Sequence, residues 1–191
     1  MRAPVVIDLE TKKTFREVRD NRDLGVSVLG LYSYEKGELL MFEEQELNNA
    51  FPLLERASIV IGFNINSFDL PVLQAYYPGK VTQFKTFDII DDVKERIGRR
   101  LSLNDLVWGT LGKQKSGHGL QAIVFYRSGK MDELKSYCGD DVTLTKELFD
   151  HGVQHHEIKY FNERGKVSIQ VDWGKYLREQ GDESAPLTLP F

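Results

Sequence analysis

The stretch Val5-Val6-Ile7-Asp8-Leu9-Glu10 decides how the rest of the chain reads. Its first residues are β-branched and apolar, the composition of a buried central strand. Side chains alternate along a strand, so Val6, Asp8 and Glu10 share one face and Val5, Ile7 and Leu9 the other. Two carboxylates therefore stand side by side on a segment that otherwise belongs in a core. Uncompensated buried charge is costly, and hard divalent cations prefer carboxylate oxygens, so a metal ion is the expected counter-charge. Leu9 is expected to anchor the opposite face and hold the two acids in register.

At 191 residues, 41% hydrophobic and 28% charged, the chain reads as one soluble globular domain able to bury a substantial core. A net charge of −4 argues against a generally basic nucleic-acid coat. It is compatible with a nucleic-acid enzyme whose bound cations supply local positive charge. The single cysteine, Cys138, has no partner for an intramolecular disulfide, which fits a reducing compartment. Asp8 and Glu10 interrupt the N-terminus where a signal peptide needs its apolar core, and no long apolar run occurs. The expectation is a soluble cytoplasmic protein with no membrane partner.

Residues 11–23 are polar and charged, a loop leaving the first strand. Residues 26–34 and 39–42 flank Glu35-Lys36-Gly37-Glu38 and predict a hairpin antiparallel to the first strand or its neighbour. The spacing from Gly25 to Gly30 imitates a phosphate loop, but Leu31-Tyr32 stand where Lys-Ser/Thr is required. Residues 43–56 predict a helix on Leu47, Ala50, Phe51 and Leu54, with Pro52 as a candidate kink. A short apolar strand follows at 58–63, a polar turn at 64–67, and a helix opening at 68–73 with Asp69 at its positive end. Residues 84–90 predict a strand carrying Asp88, which is expected to cap the next helix. Helices follow at 91–97, at 103–111 behind a Ser102 cap, at 120–126 and at 131–154, then a hairpin over 160–171. The sum is an α/β fold, with a mixed central sheet flanked by helices. Residues 1–177 are expected to form the domain, and 178–191 a C-terminal tail.

The long helix supplies more acid chemistry. Tyr137 and Asp141, at i and i+4, share a face otherwise occupied by Leu134, Leu144 and Leu148. Asp140 lies about 100° off that stripe and reads as solvated. Asp69 is a third candidate on the same rim, so Asp8, Glu10, Asp69 and Asp141 are expected to converge. Without cations such a cluster repels itself and retains protons. With two divalent ions roughly 4 Å apart it becomes a site for in-line attack at phosphorus. An ordinary tyrosine pKa of about 10 makes Tyr137 a better orienter of water than a base.

Three segments carry a family resemblance: Val6-Ile7-Asp8-Leu9-Glu10-Thr11, then Ile61-Gly62-Phe63-Asn64-Ile65-Asn66-Ser67-Phe68-Asp69-Leu70-Pro71, then Tyr137-Cys138-Gly139-Asp140-Asp141-Val142. Each alone is ordinary: a strand with acids, a helix cap, a helix face. Together, and in order, they resemble the DnaQ-like (DEDD) 3′–5′ exonucleases of ribonuclease H-like fold. Their tyrosine (DEDDy) subgroup, which includes the proofreading domains of family B DNA polymerases, is most similar. The resemblance implies Asp8, Glu10, Asp69 and Asp141 as ligands of two Mg²⁺ or Mn²⁺ ions and Tyr137 as the water-orienting residue. It also implies Thr11, Asn64 and Phe68 at the substrate strand, and a setting in DNA replication or repair. The segment after Thr11 departs from the pattern, holding charged residues where a glycine is common.

Other features read less sharply. Lys115 and His118 lie in a basic, glycine-rich loop that suits phosphate contacts or a plain surface turn. Arg96, Arg99 and Arg100 divide between a solvated face and a strand-binding patch. His151 and His155 lack a third nearby ligand for zinc. Residues Leu187-Thr188-Leu189-Pro190-Phe191 resemble peptides that bacterial replication proteins insert into a sliding clamp, with Pro186 replacing the usual glutamine; the alternative is packing on their own domain. The expected function is removal of nucleoside 5′-monophosphates from the 3′ end of single-stranded DNA. The alternatives are an exoribonuclease or a catalytically silent nucleic-acid-binding domain.

Overall fold

A computed structural model describes residues 2–114 and 119–178. Lys115, His118 and the clamp-like segment 187–191 lie outside the described residues, so those expectations stay with the sequence. The opening stretch forms β1 (Val5–Thr11), the central strand of a five-stranded mixed sheet. On one side it pairs antiparallel with β2 (Val26–Ser33), which pairs antiparallel with β3 (Glu38–Glu43). On the other side lie β4 (Val60–Gly62) and β5 (Thr86–Asp88), both parallel to it, giving the order β3-β2-β1-β4-β5. The β2–β3 turn works because Gly37 takes φ of 68°, a left-handed conformation costly for residues with a Cβ.

The alternation read from β1 is realised as two packing layers. Val5, Ile7 and Leu9 pack with Leu47, Phe51 and Leu54 of α1 (Leu47–Arg56) and Leu70 of α2 (Asp69–Leu73). Val6 turns the other way. It joins Ile61 and Phe87 against α3 (Ile89–Ile97), α4 (Leu103–Leu111) and the 25-residue α6 (Met131–His155). Each fully buried Leu, Ile or Val in these layers contributes roughly 1.5–3 kcal/mol. α5 (Gly119–Arg127) lies on α6 through Ala122 and Leu134. A separate hairpin, β6 (Glu157–Asn162) and β7 (Gly165–Gln170), follows α6, and the short α7 (Lys175–Arg178) ends the described chain.

Several boundaries shift for local reasons. The strand expected over 84–90 stops at Asp88, whose side chain accepts the Ile90 N–H and starts α3. The helix expected from 43 begins as a 3₁₀ turn at Glu44–Glu46, and α1 then runs through Pro52. Ser102 caps α4 as expected, in a reciprocal box with Asp105. No helix among the described residues is long and apolar enough to cross a membrane.

Candidate active site

Asp8, Glu10 and Asp141 come together at the end of β1. Each presents a carboxylate oxygen, and these oxygens all lie within 4.8 Å of one another. Two of the acids arrive by strand alternation and the third by the face of α6 that Tyr137, itself buried, shares one turn earlier. Asp140 points away and is exposed, whereas Asp141 is 1% exposed, so the helical spacing distinguished the two correctly.

What lets α6 come this close is Gly30, the residue opposite Asp8 in the β1–β2 register. A Cβ there would sit 2.7 Å from Val142 Cγ2 and 3.1 Å from Cys138 Sγ. Glycine is required for the approach of helix to strand rather than for a turn. Cys138 fills the remaining space, its thiol donating to the Asp8 carbonyl at 3.4 Å. Burial, with the charges of Asp8, Glu10 and Asp141, pushes the thiol pKa well above its ordinary value, so it stays a neutral filler. Beyond Glu10 the register slips, Glu10 pairing with Val28 and Thr11 with Val26. Such a bulge bends a strand and re-aims its end.

Asp69 is placed differently. The β1–β4 pairing ends at Val6–Ile61, so the Leu9 N–H has no β4 neighbour to meet. Asp69 Oδ1 accepts it at 3.0 Å, between Asp8 and Glu10 along the chain. Asp69 is thus tied to the strand that carries the two acids but is not in the group of three. Burial raises its pKa to about 7, with the nearby Asp88 charge adding and the Leu9 N–H opposing.

Asp88 does more than cap a helix. It accepts from Asn64 N–H at 2.7 Å, Asn66 N–H at 2.9 Å and Ile90 N–H at 3.2 Å, so one carboxylate clamps the turn leading to Asp69 onto the start of α3. Asn64 needs that clamp, because its φ is +69°. The Asn64 side-chain oxygen accepts from Arg100. Phe68, which directly precedes α2, meets the ring of Phe15 with centroids 5.5 Å apart, and Phe15 is 65% exposed. The Thr11 hydroxyl donates to the Lys13 carbonyl at 2.9 Å, which turns the chain as it leaves β1. Arg96 is held by Asp92 and the Gln170 carbonyl and serves the fold.

Sequence reasoning missed the roles of Gly30 and Phe15, and left Arg100, which holds Asn64, divided between a solvated face and a strand-binding patch. In sequence Gly30 reads as part of a hairpin strand and of a failed phosphate loop, and its strand position opposite an acid was the available signal. An exposed phenylalanine in an otherwise charged loop was the signal for Phe15.

The three converging acids fit a hard cation. Metal–oxygen distances of about 2.0–2.6 Å place ligand oxygens at most about 4–5 Å apart across one ion, the spacing found here. The set is all oxygen, the donor type that hard divalent cations prefer.

No family model matches the sequence, and no curated protein matches it. Solved structures do. The family B DNA polymerase from the hyperthermophilic archaeon Pyrobaculum calidifontis superposes with a TM-score of 0.61 at 17% identity, covering 78% of this chain and 24% of that one. RNase D of Trypanosoma brucei superposes with a TM-score of 0.58 at 15% identity, covering 78% of this chain and 57% of that one. This chain therefore spans about a quarter and somewhat over half of the two neighbours. The likeness extends to the mixed five-stranded sheet and its flanking helices, and the fold is ribonuclease H-like.

Proposed function

We propose that this protein is a metal-dependent 3′–5′ exonuclease that hydrolyses the terminal phosphodiester of single-stranded DNA and releases nucleoside 5′-monophosphates. The observation that carries the reading is the convergence of Asp8, Glu10 and Asp141, from a strand near the start of the chain and a helix far from it in sequence, with carboxylate oxygens all within 4.8 Å of one another. Acids from distant segments that meet among apolar side chains need a cation to offset their repulsion.

In this reading Asp8, Glu10 and Asp141 hold one divalent cation. Asp69, tied to Leu9 beside them, serves a second. Divalent ions in such a site supply charge that stabilises the attacked phosphate and both the entering and leaving oxygens of an in-line displacement. Tyr137, one helical turn before Asp141, orients the attacking water through its hydroxyl. Asn64 and Phe68 bind the terminal nucleotides, Asn64 being oriented by Arg100 and Phe68 being backed by Phe15. Residues 1–177 form the catalytic domain.

DNA is favoured over RNA by the motif resemblance to proofreading domains. The fold likeness to an RNase D at a comparable TM-score supports an exoribonuclease as the second reading. Digestion of 5′-labelled DNA and RNA strands in parallel, with Mg²⁺ or Mn²⁺, separates them. A ladder of products shortened from the 3′ end is expected, absent in Asp8→Ala. A ladder that survives Asp8→Ala would mean that the activity comes from elsewhere.

A further inference from the structure

Away from the carboxylates, α4 and β6 present two large aromatic side chains to solvent. Trp108 is 46% exposed and Phe161 44% exposed, their ring centroids 4.8 Å apart. Exposing such rings forgoes burial that would stabilise the fold, yet the elements bearing them are locked together. A Cβ on Gly109 would lie 2.3 Å from the Lys159 carbonyl oxygen, so α4 touches the β6 backbone directly. The neighbouring Thr110 hydroxyl both donates to the Lys159 carbonyl at 3.0 Å and accepts its N–H at 2.7 Å. The ring pair is therefore a rigid platform.

Cations stand against its rings and beside them. Lys166 Nζ stands 5.5 Å over the Phe161 ring, and Arg99 lies 5.1 Å over Tyr160. A groove of about 520 Å³ runs beside them, bounded by Arg99, Tyr160, Phe161 and Arg164. Two acids also line it: Asp105 is engaged by Ser102, and Glu163 sits in the hairpin turn. Arg99 is followed directly by Arg100, which holds Asn64 in the turn that leads to Asp69. The groove thus begins one residue from the side chain that reaches the proposed substrate site.

Aromatic faces flanked by Lys and Arg along a groove are the physical requirements for holding single-stranded nucleic acid, whose bases stack while its phosphates meet the cations. We infer that the Trp108–Phe161 platform, with Arg99, Arg164 and Lys166, binds the single strand several nucleotides upstream of the 3′ end held at the carboxylates. The direction of that strand rests on the exonuclease reading; binding at the platform does not.

The protein carries its own probe, because Trp173 is fully buried and Trp108 is exposed. In Asp8→Asn, which leaves oligonucleotides intact, an oligothymidylate of about twelve nucleotides is expected to quench tryptophan emission, with a trinucleotide leaving it unchanged. An oligouridylate of the same length reports whether the platform distinguishes RNA. Trp108→Phe should abolish the quench. Phe161→Ala should weaken long-strand binding about tenfold while leaving trinucleotide binding unchanged, as the loss of one stacked base predicts. Lys166→Glu, on the solvent side of the hairpin, should weaken long-strand binding and lower its salt dependence by about one ion. Unchanged emission at saturating long strand, or parental affinity in both Phe161→Ala and Lys166→Glu, would overturn the inference. Quenching without any nuclease activity in the parent protein would keep the platform and remove the exonuclease reading. Digestion without quenching would do the reverse.

Discussion

Two sets of acids flank the end of β1, and they are met by different partners. Asp69 and Asp88 meet backbone: one accepts the Leu9 N–H, the other three N–H groups from the turn and from α3. Asp8, Glu10 and Asp141 meet each other, oxygen to oxygen. Backbone donors supply hydrogen bonds that a buried carboxyl needs and fix where it stands. Clustered carboxylates raise one another's energy, and a cation placed among them would lower it. The difference lies in what each acid faces: Asp69 and Asp88 are buried against backbone, whereas Asp8 and Glu10 are only partly buried and stand beside Asp141.

The largest effect should come from breaking the second set. Asp8→Asn or Asp141→Asn is expected to lower the nuclease rate by at least about a thousandfold, the scale of charge stabilisation a metal site supplies. The same substitutions should leave metal-free thermal stability unchanged or raised, because they relieve repulsion. Parallel rate and melting measurements check both directions. A loss of stability as large as the loss of activity would mean that the acids are structural after all.

Next is the approach that creates the cluster. Gly30→Val puts methyl groups where Val142 and Cys138 already pack, and overpacking of this kind costs about 1–3 kcal/mol. Denaturant unfolding should show that loss, and calorimetric titration should show weakened divalent binding in a variant whose ligands are all present.

The comparison sharpens through pH. Native Asp69 keeps its proton up to about pH 7 because it is buried, whereas in the unfolded chain it is shed near pH 4. The native state therefore binds the extra proton across that window. Metal-free stability should fall as pH rises from about 4 to 7, by on the order of 3 kcal/mol. Asp69→Asn should flatten the slope, and saturating Mg²⁺ should oppose it by favouring the ionised acids. Melting curves with and without a chelator measure this.

The smallest change is expected at Asp88. Asp88→Asn keeps an acceptor oxygen for part of the clamp and should cost about 1 kcal/mol, with a raised divalent-ion requirement and little change in maximal rate. Chemical denaturation beside a magnesium titration of activity tests it.

Much of the site was legible in the chain because periodicity transmits direction. Alternation placed Asp8 and Glu10 together, and i, i+4 spacing placed Tyr137 with Asp141 and excluded Asp140. The β2–β3 hairpin, the α4 cap and α6 were equally local and equally readable. The distances between those pieces were not. Nothing local says that β1 and β4 part after Val6, leaving the Leu9 N–H to Asp69. Nor does Asp88 announce from its own neighbours that it will hold Asn64 and Asn66, more than twenty residues earlier. The docking of β6 on α4 depends on Gly109, a residue that in isolation only weakens a helix.

The sequence by itself determined which side chains share a face, since strand and helix periods are properties of the backbone. It therefore determined that acids would stand on apolar faces. Only the tertiary structure decided which acids meet which partners. That choice depends on how closely α6 can approach β2 at Gly30 and on where the β1–β4 pairing stops. Both are questions of packing between segments far apart in the chain, where a single Cβ or one unpaired N–H settles the outcome.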